Sequence, residues 1–289
     1  MRTRHPDNAP GDWFVDRDCI DCGASRTVAP GLIHHSGGQC VFHHQPEIPA
    51  DILQAWRARL LCPTASIRTE SAQHPPDGVF PEQLTDGVYR LGFNSRSSWG
   101  AHSFLMRRSA GNVMVDAPRW ASQLVATIEA WGGLSDILLT HRDDVADAGR
   151  YADHFGAEVW IHEADRRAAP YATRHFRGRD PTPVADGLLA IPVPGHTEGS
   201  VAFLLENRCL FTGDTLSWEF ETGDLRASRA VCWWSWPEQL ASLARLLDYR
   251  FEWIFAGHGG SHRLPQTQMA DRLKALLRRF GHAAEPVQG

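Results

Sequence analysis

The 289-residue chain is expected to fold as an α/β layered protein. Three observations predict this. Short β-type runs fill residues 88–116, and helical and strand-like stretches then alternate. Trp120, Leu124, Ile128 and Trp131 recur at helical spacing, as do Leu240, Leu243, Leu246 and Leu247. Four polar, His- or Asp-bearing turns stand at the ends of apolar runs, where open sheets flanked by helices place their chemistry.

Composition narrows the function classes. Hydrophobic residues make up 43% and charged residues 22%, ordinary for a soluble globule. The net charge of -5 argues against a nucleic-acid surface. No apolar run approaches the ~18 residues of a membrane span. No apolar segment follows the N-terminal Met1-Arg2-Thr3-Arg4, so a cytoplasmic chain is expected. The expected partner is a small-molecule substrate, with neither nucleic acid nor membrane involved. Fifteen His and 11 Trp stand out, the former as candidate ligands if they converge and the latter as core or pocket wall.

The first dozen residues are polar and expected to fray. Trp13-Phe14-Val15 reads as a short strand, Gly37-Gly38 as a hairpin turn and Cys40-Val41-Phe42 as the return strand. Ile52, Trp56 and Leu60 mark a helix that ends at Cys62-Pro63. Four of the six cysteines, at 19, 22, 40 and 62, crowd this segment. Without an export signal they point to metal or redox chemistry ahead of structural disulfides. Cys209 reads as a core thiol, and Cys232 as core or pocket wall.

Cys19-Ile20-Asp21-Cys22 and the distant Cys62-Pro63 resemble a bacterial single-cluster ferredoxin, C-x2-C-x2-C followed by a later C-P. The third position of the spacing is Ser25. That resemblance implies a ferredoxin-like domain over residues 1–75 with Cys19, Cys22 and Cys62 as iron–sulfur ligands. Three readings stay open. The cluster is lost and the domain kept for packing; a three-cysteine or Cys40-completed cluster of 4Fe-4S or 3Fe-4S type survives; or the thiols hold zinc or a disulfide. The paired histidines His34-His35 and His43-His44 read as solvated.

Residues 69–87 read as a linker, and residues 76–289 as the second domain. Strands are expected at 88–93, 102–106 and 112–116, a helix at 119–132 and a strand at 136–139. Leu138-Leu139 then runs into Thr140-His141-Arg142-Asp143-Asp144-Val145-Ala146-Asp147-Ala148. Imidazole and carboxylate together suit a divalent metal. A helix N-terminus that favours aspartate explains the same stretch equally well. Another strand follows at 157–161. Three further turns carry single candidate ligands: Pro194-Gly195-His196-Thr197-Glu198-Gly199-Ser200, Phe211-Thr212-Gly213-Asp214, and Gly257-His258-Gly259. Ser235-Trp236-Pro237-Glu238 is a capping box opening a helix. Met269, Leu273, Leu276, Leu277 and Phe280 mark another helix, and no structure is expected after Gly281.

These motifs, P-G-H-T-x-G-S, F-T-G-D and G-H-G, resemble the metallo-β-lactamase-fold superfamily over residues 80–281. With the cysteine-bearing segment in front, the chain resembles that superfamily's ferredoxin-domain branch. The resemblance implies an αββα sandwich preceded by a small α+β domain. It also implies a metal-dependent hydrolase of an ester, thioester, lactam or related bond; the ligand positions lost at Ser25 and Ala148 suit a specialised biosynthetic enzyme. Iron-dependent redox or oxygen chemistry, or a repurposed metabolite-binding scaffold, are its alternatives. By position His141, Asp143 and His196 would form a first metal site, Asp147 and His258 a second, with Asp214 serving one or both. Asp147 would orient or deprotonate the attacking water. Ala148 stands where that branch has a histidine, so one firm metal and a weakened second are expected, of zinc, iron or manganese. Asp144 and His102 are additional candidates near the centre without a motif match. Thr197 and Glu198 are expected to orient His196. His262 is expected at the surface, and His154, His162 and His175 carry no motif.

Overall fold

The computed structural model describes residues 3–282, so the expectation for the tail lies almost wholly outside the described residues. The chain divides into two compact units, Met1–Ile137 with Ala146–Ala157, and Leu138–Val145 with Glu158–Gly289.

The first unit begins with β1 (Trp13–Val15), α1 (Ala24–Val28), β2 (Ile33–Ser36), β3 (Gln39–Phe42), α2 (Pro49–Leu61) and β4 (Ile67–Thr69). β1 pairs antiparallel with β4, and β2 with β3 across the Gly37-Gly38 turn. Both of those glycines have positive φ, which costs a residue without Cβ little. Trp13, Ile33, Phe42, Trp56 and Leu61 form the apolar centre of this segment. Of the first dozen residues, expected to fray, the described ones from residue 3 are tied down. Asn8 is buried; its side chain bonds both the N–H and the C=O of Val15 and accepts from Phe42 N–H. One amide thus satisfies three backbone groups that a polar-composition reading leaves to solvent.

The unit continues with β5 (Glu82–Thr85), β6 (Val88–Arg90), β7 (Phe104–Met106), β8 (Val113–Val115), α3 (Ser122–Ala130), β9 (Asp136–Leu138, at the junction of the units) and α4 (Ala148–Phe155). β5 to β8 form an antiparallel meander. β5 lies inside the expected linker. Asp86-Gly87 turns the chain back onto β6, a hairpin signal masked by the Pro-rich sequence before it. Glu82 on β5 then meets buried Arg90 at 2.9 Å and Arg57 at 2.8 Å.

The second unit holds β10 (Glu158–His162), β11 (Arg174–Phe176), β12 (Thr182–Ala185), β13 (Leu188–Pro192), β14 (Val201–Leu205), β15 (Cys209–Gly213), β16 (Ser217–Glu219), β17 (Asp224–Arg226), α5 (Trp236–Arg245), β18 (Trp253–Ala256), β19 (His262–Arg263) and α6 (Gln266–Arg279). Six of these strands form one sheet in the order β12-β13-β14-β15-β18-β19. β15 and β18 run parallel and the other neighbours antiparallel. α5 and α6 place Leu240, Leu243, Leu273 and Leu277 against Ile191, Leu204 and Leu210 of that sheet. Half of the expected capping box forms: Ser235 Oγ accepts from Glu238 N–H, but Ser235 N–H donates to Gly195 C=O and the Glu238 carboxylate pairs with Arg179 instead. Among the described residues no helix is long and apolar enough to cross a membrane.

Candidate metal centre and thiol cavity

Sheet topology brings three of the polar turns together. β15 and β18 are parallel neighbours with Gly213 opposite Ala256, so their following residues, Asp214 and His258, leave the sheet at the same edge. Gly257 N–H donates to Gly213 C=O at 2.9 Å, locking the two turns. The β13–β14 turn carries His196. Val201 N–H donates to Thr140 C=O at 2.8 Å and ties that turn to the loop bearing His141, Asp143 and Asp144.

Two groups of side chains result, each with ligand atoms within 4.8 Å of one another: His141, His196 and Asp214, and Asp144, Asp214 and His258. Asp214 belongs to both. Its Oδ2 lies 3.8 Å from His141 Nε2, 3.6 Å from His196 Nε2 and 3.9 Å from His258 Nε2. The residues fit a divalent cation. His141 Nε2 and Asp214 Oδ1 are buried without a hydrogen bond, a costly condition unless a ligand engages them. Gly257 has no room for a side chain, because a Cβ there would meet Asp214 Oδ1 at 2.8 Å and Asp144 Oδ2 at 3.0 Å.

The second nitrogens of the imidazoles are fixed. His196 Nδ1 donates to Val231 C=O at 2.6 Å, which leaves Nε2 to face Asp214. His141 Nδ1 lies 2.9 Å from Thr140 Oγ1, leaving Nε2 to face the same carboxylate. Such outer partners set tautomer and ring orientation. Burial pushes His141 down to about 4 and keeps it neutral, as a ligand must be. Burial also lowers His196, but its bond to Asp143 and the nearby Asp214 outweigh it and raise the net value. For Asp214 burial raises the carboxyl, yet His258, His141 and His196 together hold it below the ordinary range.

Of the residues expected at the centre, His141, His196, Asp214 and His258 converge. Asp143 lies beside them, Oδ2 3.3 Å from His196 Nε2 and 3.9 Å from His141 Nε2, with its side chain 44% exposed. Asp147 belongs to neither group. It is the N-cap residue of α4, and its Oδ2 accepts Trp120 N–H at 2.6 Å. Asp144 enters the second group, and Ala148 is fully buried in the first turn of α4. Thr197 braces the His196 turn at one remove: its hydroxyl donates to buried Asp165 at 2.6 Å, and the same oxygen of Asp165 accepts Arg142 N–H at 3.1 Å. Asp165 carried no motif, and only the fold brings it between the two ligand loops. Glu198 is exposed. His102 is buried in the first unit, 2.9 Å from Thr27 Oγ1. His262 stacks on Trp218 at 3.8 Å instead of lying free at the surface. His162 faces Gly178 C=O, His154 faces Glu129 and His175 is exposed. Cys209 is buried and Cys232 Sγ donates to Gly195 C=O.

The first unit holds a separate cavity lined by Cys19, Cys22, Cys40 and Cys62 together with Ser25. All four cysteines are free thiols. A hydrogen bond from Cys40 lowers Cys19 to about 6 against burial, whereas burial pushes Cys22 up to about 12.

Residues 15–69 match the family model described as the 4Fe-4S single cluster domain of Ferredoxin I. A hydroxyacylglutathione hydrolase of Fuscovulum blasticum is 35% identical over 120 residues, covering 39% of this chain and 47% of the relative. Another, of Acidiphilium cryptum, is 31% identical over 119 residues, covering 40% and 49%. The chain thus spans about half the length of the curated relatives it matches. The DIM-1 metallo-β-lactamase structure superposes with a TM-score of 0.52 at 17% identity, covering 69% of this chain and 96% of that one. The second unit's turns, the mixed sheets and this superposition agree: the chain has the metallo-β-lactamase fold, with a single-cluster ferredoxin match at its N-terminal side.

Proposed function

We propose that the chain is a metal-dependent hydrolase cleaving a small-molecule ester or thioester. The observation that carries this reading is Asp214, one carboxylate, 10% exposed, shared by two ligand groups on a single sheet edge. A divalent metal bound there supplies Lewis-acid polarisation of a carbonyl and activation of water near neutral pH. His141, His196 and Asp214 hold the first site, and Asp144, Asp214 and His258 the second. Asp143, partly exposed beside His196 and His141, would orient the attacking water. Asp147 is assigned to anchoring the start of α4. The two hydroxyacylglutathione hydrolases support the choice of an acyl bond by name.

Chelated protein, tested against acyl-thioester, aryl-ester and β-lactam probes, should lose thioester or ester turnover and regain it with zinc, iron or manganese. Turnover indifferent to chelation would sink the reading. A second reading, iron-dependent redox or oxygen chemistry, is favoured by the two carboxylates of the Asp144 group, since hard ligands suit iron or manganese. Metal-dependent oxygen uptake without hydrolysis would put it first.

A further inference from the structure

We propose that Cys40 replaces the missing third cysteine, so that Cys19, Cys22, Cys40 and Cys62 together ligate a [4Fe–4S] cluster. The spacing that would put a thiol at residue 25 places a serine there, and a hydroxyl is a poor partner for iron beside three thiolates. The fold returns a thiol to that place. β3 carries Cys40 back beneath α1 until its Sγ stands 3.5 Å from Ser25 Oγ. The sulfur is displaced by about one side chain, and it comes from a strand instead of the cysteine-rich loop.

Four features suit a cluster here. The four thiols and Ser25 face one cavity, whose other walls include Val15, Pro63 and Ile67. Backbone N–H groups already point at sulfur: Cys40 N–H at Cys19 Sγ, 3.4 Å, and Ser66 N–H at Cys62 Sγ, 3.3 Å. Hydrogen bonds to the sulfurs are among the features that tune such clusters. Arg26 Nη1 donates to Cys40 Sγ at 3.0 Å and is itself paired with Asp21, so a guanidinium offsets part of the rise that the Cys19 hydrogen bond and burial impose on the Cys40 thiol. Gly100, at φ +83°, packs tightly on Cys22 and Pro63 of the cavity wall, and a Cβ on it would meet Cys22 Sγ at 2.8 Å.

Cys19 and Cys40 lie within hydrogen-bonding reach of each other, but no third thiol joins them at the spacing that one ion needs. Zinc bound at about 2.3 Å by four thiolates needs them about 3.8 Å apart. Among the described residues no three of these sulfurs lie within 4.8 Å of one another. A multi-iron core spans the wider gap. This inference is independent of the hydrolase reading, because the thiol cavity uses no residue of the His/Asp centre.

The test is anaerobic reconstitution with ferrous iron and sulfide, read by acid-labile sulfide, visible charge-transfer absorbance and electron paramagnetic resonance after dithionite. None of these readouts depends on enzymatic turnover, and labile sulfide does not report on the His/Asp centre. The wild type should take up about four sulfides per chain, as a four-cysteine cubane requires. Ser25→Ala should load equally well. Cys40→Ser should lose at least three-quarters of the sulfide. The double change Ser25→Cys with Cys40→Ser should regain it, which separates a lost ligand from a misfolded domain. Wild type that takes up no sulfide, Cys40→Ser that loads like wild type, or Ser25→Ala that fails while folded would each overturn the proposal.

Discussion

At the residue scale, the groups that support the proposed metal ligands should matter as much as the ligands themselves. Asp165 holds Thr197 and the Arg142 amide from one buried carboxylate oxygen, so it couples the His196 turn to the His141 loop. Asp165→Asn should weaken metal binding about 10- to 100-fold with the fold intact, as loss of an outer partner does. Competitive chelator titration measures it, and an unchanged affinity would remove the bracing role. Gly257→Ala should have a larger effect, because the added methyl falls on Asp214 and Asp144. The four converging residues were legible because each borders an apolar run, His196, Asp214 and His258 in glycine-lined turns and His141 at the head of an aspartate-rich loop. Asp165 was illegible because it sits in a short 3-10 helix with no motif, and burial, not sequence, gives it a role. The balance between Asp144 and Asp147 was equally hidden, since both follow His141 and only the path of the loop decides which enters a group.

At the scale of elements, the β2–β3 hairpin carries Cys40 and also a histidine stack. His34 lies on His43 at 3.4 Å, and His43 on His44 at 4.0 Å. Burial, followed by the charges of His34 and His44, lowers His43 from 6.5. The folded hairpin then binds fewer protons than the unfolded chain. Its contribution is present above pH 6.5 and is lost as the pH falls through the depressed value. Hydrogen exchange of residues 33–42 should therefore quicken, relative to that of β13 and β14, between pH 7.5 and pH 5. A His43→Phe chain should show less of that change, and equal acid sensitivity in both would contradict the assignment. The hairpin itself was readable from Gly37-Gly38, whereas β5 was not, because His74-Pro75-Pro76 suggested a linker running on to Asp86-Gly87. α5 rests on a cap the sequence announced, and Ser235→Ala should cost about 1 kcal/mol in chemical denaturation.

At the scale of the molecule, the resemblance carried by P-G-H-T-x-G-S, F-T-G-D and G-H-G led to the fold class, while the substrate stayed outside its reach. Substrate choice belongs to surfaces that no motif encodes. Phe220, Val231, Trp233 and Trp234 are all exposed, and each lies near a ligand loop. Trp233 and Trp234 N–H both donate to His196 C=O, and the Trp233 ring lies 6.1 Å from the His196 ring. Phe220 packs where Gly260, two residues past His258, leaves no room for a Cβ. Large exposed aromatics beside a polar centre suit an apolar acyl group. Trp233→Ala should raise KM for long or aromatic acyl substrates about 10-fold and leave short ones within twofold, in keeping with loss of uniform binding. Equal losses on both would place Trp233 in support of His196 instead.

The measurement that bears most directly on the shared metal centre is the metal content of wild type and Asp214→Asn, by plasma mass spectrometry on untagged protein purified without added metal, after subtracting iron accounted for by labile sulfide. Because Asp214 belongs to both groups, the wild type should carry at least one zinc, iron or manganese per chain and the variant close to none. A folded variant that keeps the wild-type metal, or a wild type that binds none when metal is supplied, would contradict the centre as described.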